Sequence, residues 1–279
     1  MSNLNYDITV IAPGKLKFEY GPVSMEMSAW KDTQPLDRLL YEACEYTAGC
    51  LNELSGQLVL LKMSWQKTDA SDFHGIAKSM WQAVKKTGDE TLTPMAAVAG
   101  AISDCTAEFL TDAGATKVIA DNGGDIALRL CREDTIKLGI TSSVISDVIS
   151  GVLEIKGTDG IFGVCTSGLG GRSFTRGIAD SVTVLASSCA VADAYATFLA
   201  NRTYIASTAV KREKAGDLDP LSDIAGLEIT AEVGNLSPAE KEQGSEQLKA
   251  AAQAAISSGN IKAVYCYIQG METIVTCII

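Results

Sequence analysis

The stretch Thr93-Pro94-Met95-Ala96-Ala97-Val98-Ala99-Gly100-Ala101-Ile102 decides the fold prediction, because a helix start is followed by a run of small apolar residues. Pro94 suits the first turn of a helix, where its missing N–H would have no partner in any case. The helix is expected to end at about Asp112. Its small side chains let another backbone approach closely, so we predict that it is buried at the centre of the fold.

A second helix is predicted over Ser187–Asn201, directly after a strand predicted over Ser181–Ala186. The first helix is likewise followed by strands, predicted at Lys117–Ala120 and Ile126–Cys131. Both parts of the chain therefore place a small-residue helix beside paired strands, although no exact repeat is found. This layout favours an α+β fold in which an α+β unit is duplicated.

The length of 279 residues suits either one large domain or two intertwined halves, and we interpret residues 1–279 as a single domain. The charged segment Lys211–Pro220 contains a glycine and ends in a proline, so it is the candidate internal linker. The largely apolar stretch Gln57–Met63 is predicted as a strand.

The chain is acidic, with a net charge of −11, and 47% of its residues are hydrophobic. This charge argues against nucleic acid and anionic membrane surfaces as partners, although it allows a local basic pocket for a phosphorylated small molecule. Residues Met1–Asp7 carry neither a positive nor an apolar signal segment, and no run approaches the roughly 18–20 apolar residues of a membrane span. We therefore expect a cytoplasmic globular protein, and a homodimer is a working hypothesis.

The eight cysteines form no Cys-x-x-Cys pair. In a cytoplasmic protein they are interpreted as reduced thiols, most of them packed like small hydrophobic residues. His74 is the single histidine of the chain, which argues against a zinc site.

The first candidate segment for chemistry is Asn122-Gly123-Gly124-Asp125 at the end of a predicted strand. Adjacent glycines let the backbone bend tightly and present N–H groups to a phosphate or a flavin edge. The alternative is a plain turn between strands, since Asn-Gly is a strong turn signal.

The second candidate is the glycine-rich loop Cys165-Thr166-Ser167-Gly168-Leu169-Gly170-Gly171-Arg172-Ser173. Thr166, Ser167 and Ser173 supply hydroxyl groups, and the guanidinium fork of Arg172 matches phosphate oxygens. The loop is neither a Walker loop nor a Rossmann fingerprint. The alternative is a surface loop with one solvated arginine.

The third candidate is Ala192-Asp193-Ala194-Tyr195-Ala196-Thr197 in the second helix. Residues four apart share a helix face, so Asp193 and Thr197 can point together at one cation. A carboxylate and a hydroxyl are hard oxygen ligands that suit magnesium. In the alternative interpretation, Asp193 complements a helix N-terminus and Thr197 is a packing residue.

A chemical role is a separate hypothesis for Cys165, because a cysteine before a glycine-rich loop can be a low-pKa nucleophile or a persulfide carrier. No histidine lies near it in sequence to act as its base.

Four segments in order resemble motifs of the ApbE-like superfamily. Thr166–Gly168 is similar to its Thr-Ser-Gly segment, Gly123–Asp125 to its Gly-Gly-Asp, and Ala192–Thr197 to its Ala-Asp-Ala-x-x-Thr helix. Pro94–Gly100 resembles the Pro-Met-Ala-Ala-Val-Ala-Gly stretch of an uncharacterised cytoplasmic branch of prokaryotic ApbE-like proteins. The firm part of the likeness spans roughly residues 90–205, and four ordered motifs make chance agreement improbable.

The resemblance implies a duplicated α+β fold with mainly antiparallel sheets, central buried helices and a dinucleotide-sized cleft. ApbE proteins proper are magnesium-dependent transferases that split FAD and attach FMN to a threonine of a protein target. The resemblance therefore implies Asp193 and Thr197 as Mg²⁺ ligands, FAD or FMN as the nucleotide-like ligand, and Pro94, Met95 and Gly168 among the ligand-binding residues.

The chain departs from the ApbE pattern in the segment before the predicted strand Ser181–Ala186. Where ApbE proteins carry a His-Ile-Ile-Asp-Pro-like segment, this chain has Phe174-Thr175-Arg176-Gly177-Ile178-Ala179-Asp180, without a histidine. Asp180 is then the nearby candidate base.

Two hypotheses follow, and whether the chain is an enzyme is left open between them. The first is a flavin- or nucleotide-binding protein acting on FAD as a magnesium-dependent transferase or hydrolase. The second is a cytoplasmic protein of anaerobic sulfur and homocysteine metabolism with Cys165 handling sulfur, or a ligand-binding protein without transferase activity.

Overall fold

A computed structural model describes residues 6–145 and 149–276 of the chain. The strands are β1 (Asp7–Ala12), β2 (Lys15–Tyr20), β3 (Val23–Lys31), β4 (Gln34–Pro35), β5 (Lys117–Asp121), β6 (Ile126–Arg129), β7 (Thr135–Thr141), β8 (Ile149–Lys156), β9 (Gly163–Ser167), β10 (Ser181–Ala186), β11 (Val210–Lys214), β12 (Glu228–Val233), β13 (Ala263–Ile268) and β14 (Met271–Thr276). The helices are α1 (Asp37–Ser55), α2 (Leu58–Leu61), α3 (Gly75–Thr87), α4 (Val98–Asp112), α5 (Cys189–Arg202), α6 (Ala215–Leu218) and α7 (Pro238–Ser257).

One large antiparallel sheet organises the fold, in the order β1-β2-β3-β5-β6-β9-β10-β13-β14, with β4 paired to β3. The first half of the chain supplies the strands from β1 to β6, and the second half supplies β9, β10, β13 and β14. The halves meet where β6 pairs with β9 through the register pairs Ile126↔Val164 and Ala127↔Gly163. Two-stranded sheets, β7 with β8 and β11 with β12, lie outside this path. The predicted α+β class with antiparallel sheets is confirmed.

Helices α4 and α5 pack against each other in the core, as predicted for the two small-residue helices. A Cβ added at Gly100 would lie 2.4 Å from the carbonyl oxygen of Cys189 and 2.8 Å from the Cβ of Asp193. The backbones approach so closely that only glycine fits at this crossing. In α5, every residue of the stretch Cys189–Ala196 is buried.

Local side-chain signals fix the starts of these helices. The Thr93 hydroxyl accepts from the backbone N–H of Met95 at the start of a 3-10 turn, Pro94–Ala97, that leads into α4. The Ser188 hydroxyl accepts from Val191 at the start of α5 (3.2 Å). Serine and threonine are preferred at this position because they satisfy N–H groups that the helix leaves unpaired.

Two predicted segments differ from the structure. Residues 57–63, predicted as a strand, contain α2, with the N–H of Leu61 donating to the carbonyl of Gln57 (3.0 Å). A short apolar run does not separate a strand from a buried helical turn by periodicity alone. The predicted linker, residues 211–220, is not an irregular connection, because it contains most of β11 and all of α6.

Among the described residues, no helix is both long and apolar enough to span a membrane.

Candidate functional site

A cleft of about 1210 Å³ lies where the loop after β5, the loop after β9, the start of α4 and one face of α5 meet. Most of the predicted site residues line it: Met95, Asn122, Gly123, Gly124, Asp125, Thr166, Ser167, Gly168, Arg172, Ser173, Asp193 and Thr197. The structure therefore brings together segments that lie far apart in the sequence.

The Gly-Gly segment is both a turn and a wall of the cleft. Gly123 and Gly124 have φ angles of 70° and 102°, which are strained for any other residue. The N–H of Gly124 donates to Asp121 Oδ1 (2.8 Å), and the N–H of Asn122 donates to the carbonyl of Asp125 (3.1 Å). The two interpretations of this segment are compatible, because a turn between β5 and β6 presents its backbone to the cleft.

Arg172 packs on this turn at the mouth of the cleft. A Cβ added at Gly123 would lie 2.9 Å from the Arg172 Cζ. Glycine at position 123 thus allows the guanidinium group to rest against the backbone. The arginine is exposed there, so its fork can reach phosphate oxygens of a ligand.

Two carboxyl groups, those of Asp125 and Asp193, line the cleft. Asp193 is buried, with 9% of its surface exposed, and burial raises its pKa to about 7. The pKa of Asp125 is raised well above its ordinary value, first by burial and then by the neighbouring Asp193 carboxylate. Two carboxyl groups that are costly to ionise and line one cleft form a donor set that a divalent cation would stabilise.

Asp193 also completes a helix start. The backbone N–H of Gly100 donates to Asp193 Oδ2 (2.9 Å). This contact agrees with the alternative in which Asp193 complements a helix N-terminus, but the helix is α4 and not its own helix α5. Its other oxygen, Oδ1, lies on a side chain that lines the cleft, so the cap and a ligand role are compatible.

The protein supplies only some of the ligands that a magnesium ion needs. The described residues contain no group of three or more His, Cys, Asp or Glu side chains arranged to hold a metal. Asp193, Thr197 and the nearby Asp125 would hold Mg²⁺ together with waters and ligand phosphates, which is how proteins usually bind this ion.

Several cleft residues were not among the predicted site residues: Thr183, Arg176, Asn201 and Asp223. The spacing in α5 could have identified Asn201, because Asp193, Thr197 and Asn201 follow the same four-residue step. Its side-chain Oδ1 accepts from the backbone N–H of Arg176 (2.8 Å). Asp223, whose carboxylate accepts from the Thr93 hydroxyl, comes from a distant loop and had no local signal.

The structure argues against Cys165 as a nucleophile. Cys165 lies within β9 rather than in the loop, it has no exposed surface, and its Sγ lies 3.4 Å from Cys189 Sγ. Burial raises the pKa of the Cys165 thiol well above its ordinary value, so the reactive thiolate is disfavoured. The loop itself begins at Gly168, where a Cβ would lie 2.4 Å from the carbonyl oxygen of Asp180.

Asp180 and Pro94 do not line the cleft in the part of the chain that the structure describes. The Asp180 carboxylate accepts from the backbone N–H of Gln269, on the hairpin of β13 and β14. This bond supports a structural role for Asp180 and argues against its role as the catalytic base. Pro94 is buried in the turn before α4 and presents its neighbour Met95 to the cleft.

Comparisons with known proteins identify relatives of this chain. A UPF0280 protein of Methanothrix thermoacetophila is 45% identical over 109 residues, which are 39% of this chain and 45% of that protein. A UPF0280 protein of Methanocella arvoryzae is 37% identical over 160 residues, which are 56% of this chain and 62% of that protein. The matched part thus spans about half the length of these curated relatives.

Among solved structures, the flavin transferase ApbE from Vibrio cholerae aligns over 98% of this chain and 97% of its own, with 13% identity and a TM-score of 0.46. A single-residue mutant of that protein gives a TM-score of 0.47. A family model described as AbpE bacteria matches residues 8–274, which is nearly the whole chain. The chain belongs to this family, and the resemblance to the ApbE-like superfamily is confirmed.

Proposed function

We propose that the cleft binds a flavin nucleotide such as FAD together with Mg²⁺ and cleaves its pyrophosphate bond. The observation that carries this proposal is that two carboxyl groups, those of Asp125 and Asp193, line the same cleft of about 1210 Å³. Membership of the family supports a flavin as the ligand. The chemistry of the lining supports the binding of the ring, the phosphates and the cation.

The lining of the cleft contains both apolar and polar groups for the two parts of such a ligand. Leu51, Leu54 and Leu61 of α1 and α2 line it together with Val98 and Ile102 of α4, and they supply an apolar wall for a flat ring. Polar lining groups include the backbone of the Gly-Gly turn and the Arg172 guanidinium. A ligand with an aromatic ring and phosphates matches this mixed lining.

The phosphates would lie against the backbone of the Gly-Gly turn, with the Arg172 fork offsetting their charge. Thr166 and Ser167 at the end of β9 provide hydroxyl groups on the same side, and the Thr166 hydroxyl is already hydrogen-bonded to that of Thr183 (2.8 Å). These donors are held by strands, so they would orient a phosphoryl group without being ordered by the ligand.

Asp193 and Thr197, assisted by Asp125, would hold the cation. Bound magnesium would offset phosphate charge and polarise a phosphoryl oxygen. The hydrogen bond from Gly100 fixes the position of the Asp193 side chain in the lining of the cleft. The described lining contains no histidine, so transfer to water is favoured over a step that needs an imidazole base.

No observation favours sulfur handling at Cys165 as a second function, because a persulfide carrier needs an accessible thiol and this one is enclosed.

The test is incubation of purified protein with FAD, with MgCl₂ or with EDTA, followed by chromatographic quantification of FMN and AMP. We expect equal release of both products only with magnesium, and we expect Asp193→Asn to abolish it. Asp112→Asn is the matched control, because Asp112 is exposed at the far end of α4. Magnesium-dependent binding of FAD without products would refute the hydrolase and leave a binding protein, and absence of binding would refute the whole proposal.

A further inference from the structure

A second cavity, of about 660 Å³, lies beside the start of α5 and is lined by residues of α1, α3 and α4. Two cysteines line it, Cys50 of α1 and Cys105 of α4. They are distant in sequence and come together because α1 packs on α4. Neither has a part in the proposed flavin chemistry.

The two sulfur atoms are already paired. Cys105 Sγ lies 3.7 Å from Cys50 Sγ and donates towards it, and it also lies 3.1 Å from the carbonyl oxygen of Ile102. Cys50 is 6% exposed and Cys105 is 8% exposed, and both face the cavity. Cys105 has one S–H proton, which can point to Cys50 Sγ or to the Ile102 carbonyl oxygen, and Cys105 is the donor in both arrangements.

A second pair of cysteines in the core provides an internal comparison. Cys165 and Cys189 have a shorter Sγ–Sγ distance, 3.4 Å, but both have no exposed surface and neither lines the two described cavities. Burial raises the pKa of Cys189 to about 12. In contrast, hydrogen bonds from Cys105 and Tyr46 lower the pKa of Cys50.

Charged groups around the cavity have opposite effects on the stability of a thiolate. Glu53, Asp104 and Glu108 line it and oppose a thiolate, whereas Lys86 favours one. Hydrogen bonding to the Cys50 sulfur lowers the pKa of this thiol, although burial and the Glu53 carboxylate raise it. What separates the two cysteine pairs is access, because both pairs are hydrogen-bonded and the buried pair has the shorter distance between sulfurs.

We propose that Cys50 and Cys105 form a redox-active dithiol, with Cys50 as the attacking and Cys105 as the resolving cysteine, which a peroxide oxidises to a disulfide. The cavity admits the small oxidant to Cys50, and the partner sulfur is in place before the reaction. The proposal is independent of the flavin cleft, on the other side of the α4–α5 contact.

The reaction balances in two steps. The Cys50 thiolate attacks one oxygen of the peroxide, the O–O bond breaks, and the leaving hydroxide takes a proton to form water, so that Cys50 becomes a sulfenic acid. The Cys105 sulfur then attacks Cys50 Sγ, the S–O bond breaks, and the released hydroxide takes the Cys105 proton. Two thiols and one hydrogen peroxide thus give one disulfide and two waters.

The disulfide requires only a small movement, because the two sulfurs must close from 3.7 Å to about 2.05 Å. Rotation of both side chains towards each other supplies this approach. The product would join α1 to α4, the helix whose start is bound to Asp193.

The test is peptide mapping of the wild-type protein after exposure to dilute hydrogen peroxide. Remaining thiols are alkylated in denaturant, and the protein is digested without reduction and examined by mass spectrometry. We expect one intramolecular cross-linked peptide pair, Cys50 with Cys105, that dithiothreitol removes, while Cys165 and Cys189 remain alkylated. Complete alkylation of Cys50 and Cys105 after peroxide, or a cross-link at Cys165–Cys189 instead, would overturn the proposal.

Variants assign the two roles. Cys105→Ala should leave a sulfenic acid on Cys50 that dimedone traps, whereas Cys50→Ala should lose the cross-link and leave Cys105 unlabelled by dimedone. Cys44→Ala is the matched control, because Cys44 lies buried on the same helix as Cys50 and should not affect the cross-link. Dimedone on Cys105 but not on Cys50 would contradict the assigned order, and the wild-type map decides the proposal even where a variant does not fold.

Discussion

Helices α4 and α5 each complete the start of the other with an aspartate, and the two contacts differ in what surrounds them. Asp193 of α5 accepts from the N–H of Gly100 in α4 at 2.9 Å. Asp104 of α4 accepts from the N–H of Ala190 in α5, also at 2.9 Å. Each aspartate lines one of the two cavities.

The surroundings of these aspartates lead to different roles. Asp104 Oδ1 pairs with the Arg129 guanidinium at 3.2 Å, so the protein itself supplies its cation. Asp193 instead lines the cleft together with Asp125, and no basic side chain among the described residues affects its raised pKa. We infer that the same cap is built twice, and that the copy at Asp193 is left to be completed by an external cation.

The largest expected effect comes from exchanging each aspartate for asparagine. Asp193→Asn should lower magnesium-dependent FAD cleavage by at least about 100-fold, because it removes a charged cation ligand from a site of charge development. Asp104→Asn should retain the activity but lower the free energy of unfolding by about 2 kcal/mol, because it weakens a partly buried charged hydrogen bond. Chromatography of the products measures the FAD cleavage, and urea unfolding measures the free energy of unfolding. Equal loss of activity in both variants would show that Asp193 is only a cap.

The contact between the two helices can be broken at Gly100. Gly100→Ala should destabilise the protein by about 1–3 kcal/mol, because the new Cβ meets Cys189 and Asp193 and forces the helices apart. Gly49→Ala is the matched control in α1, where a new Cβ meets nothing within 4 Å. That control should stabilise by about 0.5–1 kcal/mol. Urea midpoints that move in the same direction for both variants would contradict the close approach.

Arg172 tests the phosphate side of the same cleft. Arg172→Lys should weaken FAD binding by about tenfold, because lysine keeps the charge but loses the planar fork. Arg132→Lys, at an exposed turn between β6 and β7, should bind like the wild type. Calorimetric titration with FAD and MgCl₂ decides between them, and unchanged affinity in Arg172→Lys would place the phosphates elsewhere.

The smallest expected effect is on pH dependence. Because the pKa of Asp193 is raised to about 7 in the metal-free protein, Mg²⁺ must displace a proton below that value. Magnesium affinity should therefore fall by about fourfold from pH 8 to pH 6.5, and Asp193→Asn should remove this dependence. Titration calorimetry at both values checks it, and an equal affinity at both would contradict the prediction.

The raised pKa of Asp193 affects the stability of the metal-free protein in the opposite direction, because stability falls as the pH rises while magnesium affinity increases. The contribution of Asp193 to stability is fully present below its unfolded value near pH 4 and is lost as the pH rises through about 7. Melting in EDTA should therefore show a decline across this window that is smaller in Asp193→Asn. A decline of the same size in both proteins would assign it to other groups.

Local signals in the sequence predict much of the architecture. Pro94 after Thr93 marks the turn into α4, and the pair Ser237 and Glu240 marks the start of α7, where the reciprocal capping contacts are present. The Gly-Gly segment and the Asp193–Thr197 spacing predict two walls of the cleft. These features succeed because their physical cause lies within a few residues.

The remaining parts depend on contacts that the sequence does not show. The cap of Asp104 on Ala190 joins residues 86 apart, and Asp223 reaches the cleft from a distant loop. The enclosure of Cys165 depends on how closely β9 packs on α5, where a Cβ at Gly163 would lie 2.4 Å from the Cys189 Cα. No local sequence pattern distinguishes an accessible thiol beside a glycine-rich loop from a thiol that is buried next to it.

The most direct test of the central claim is a crystal structure of the protein with FAD and MnCl₂ in place of magnesium, examined by anomalous diffraction. We predict a metal peak about 2.1 Å from an Asp193 oxygen, with phosphates between it and Arg172, and no peak at Asp104. A structure in which FAD occupies the cleft while Asp193 keeps only its contact to Gly100, or in which the metal binds elsewhere, would contradict the account.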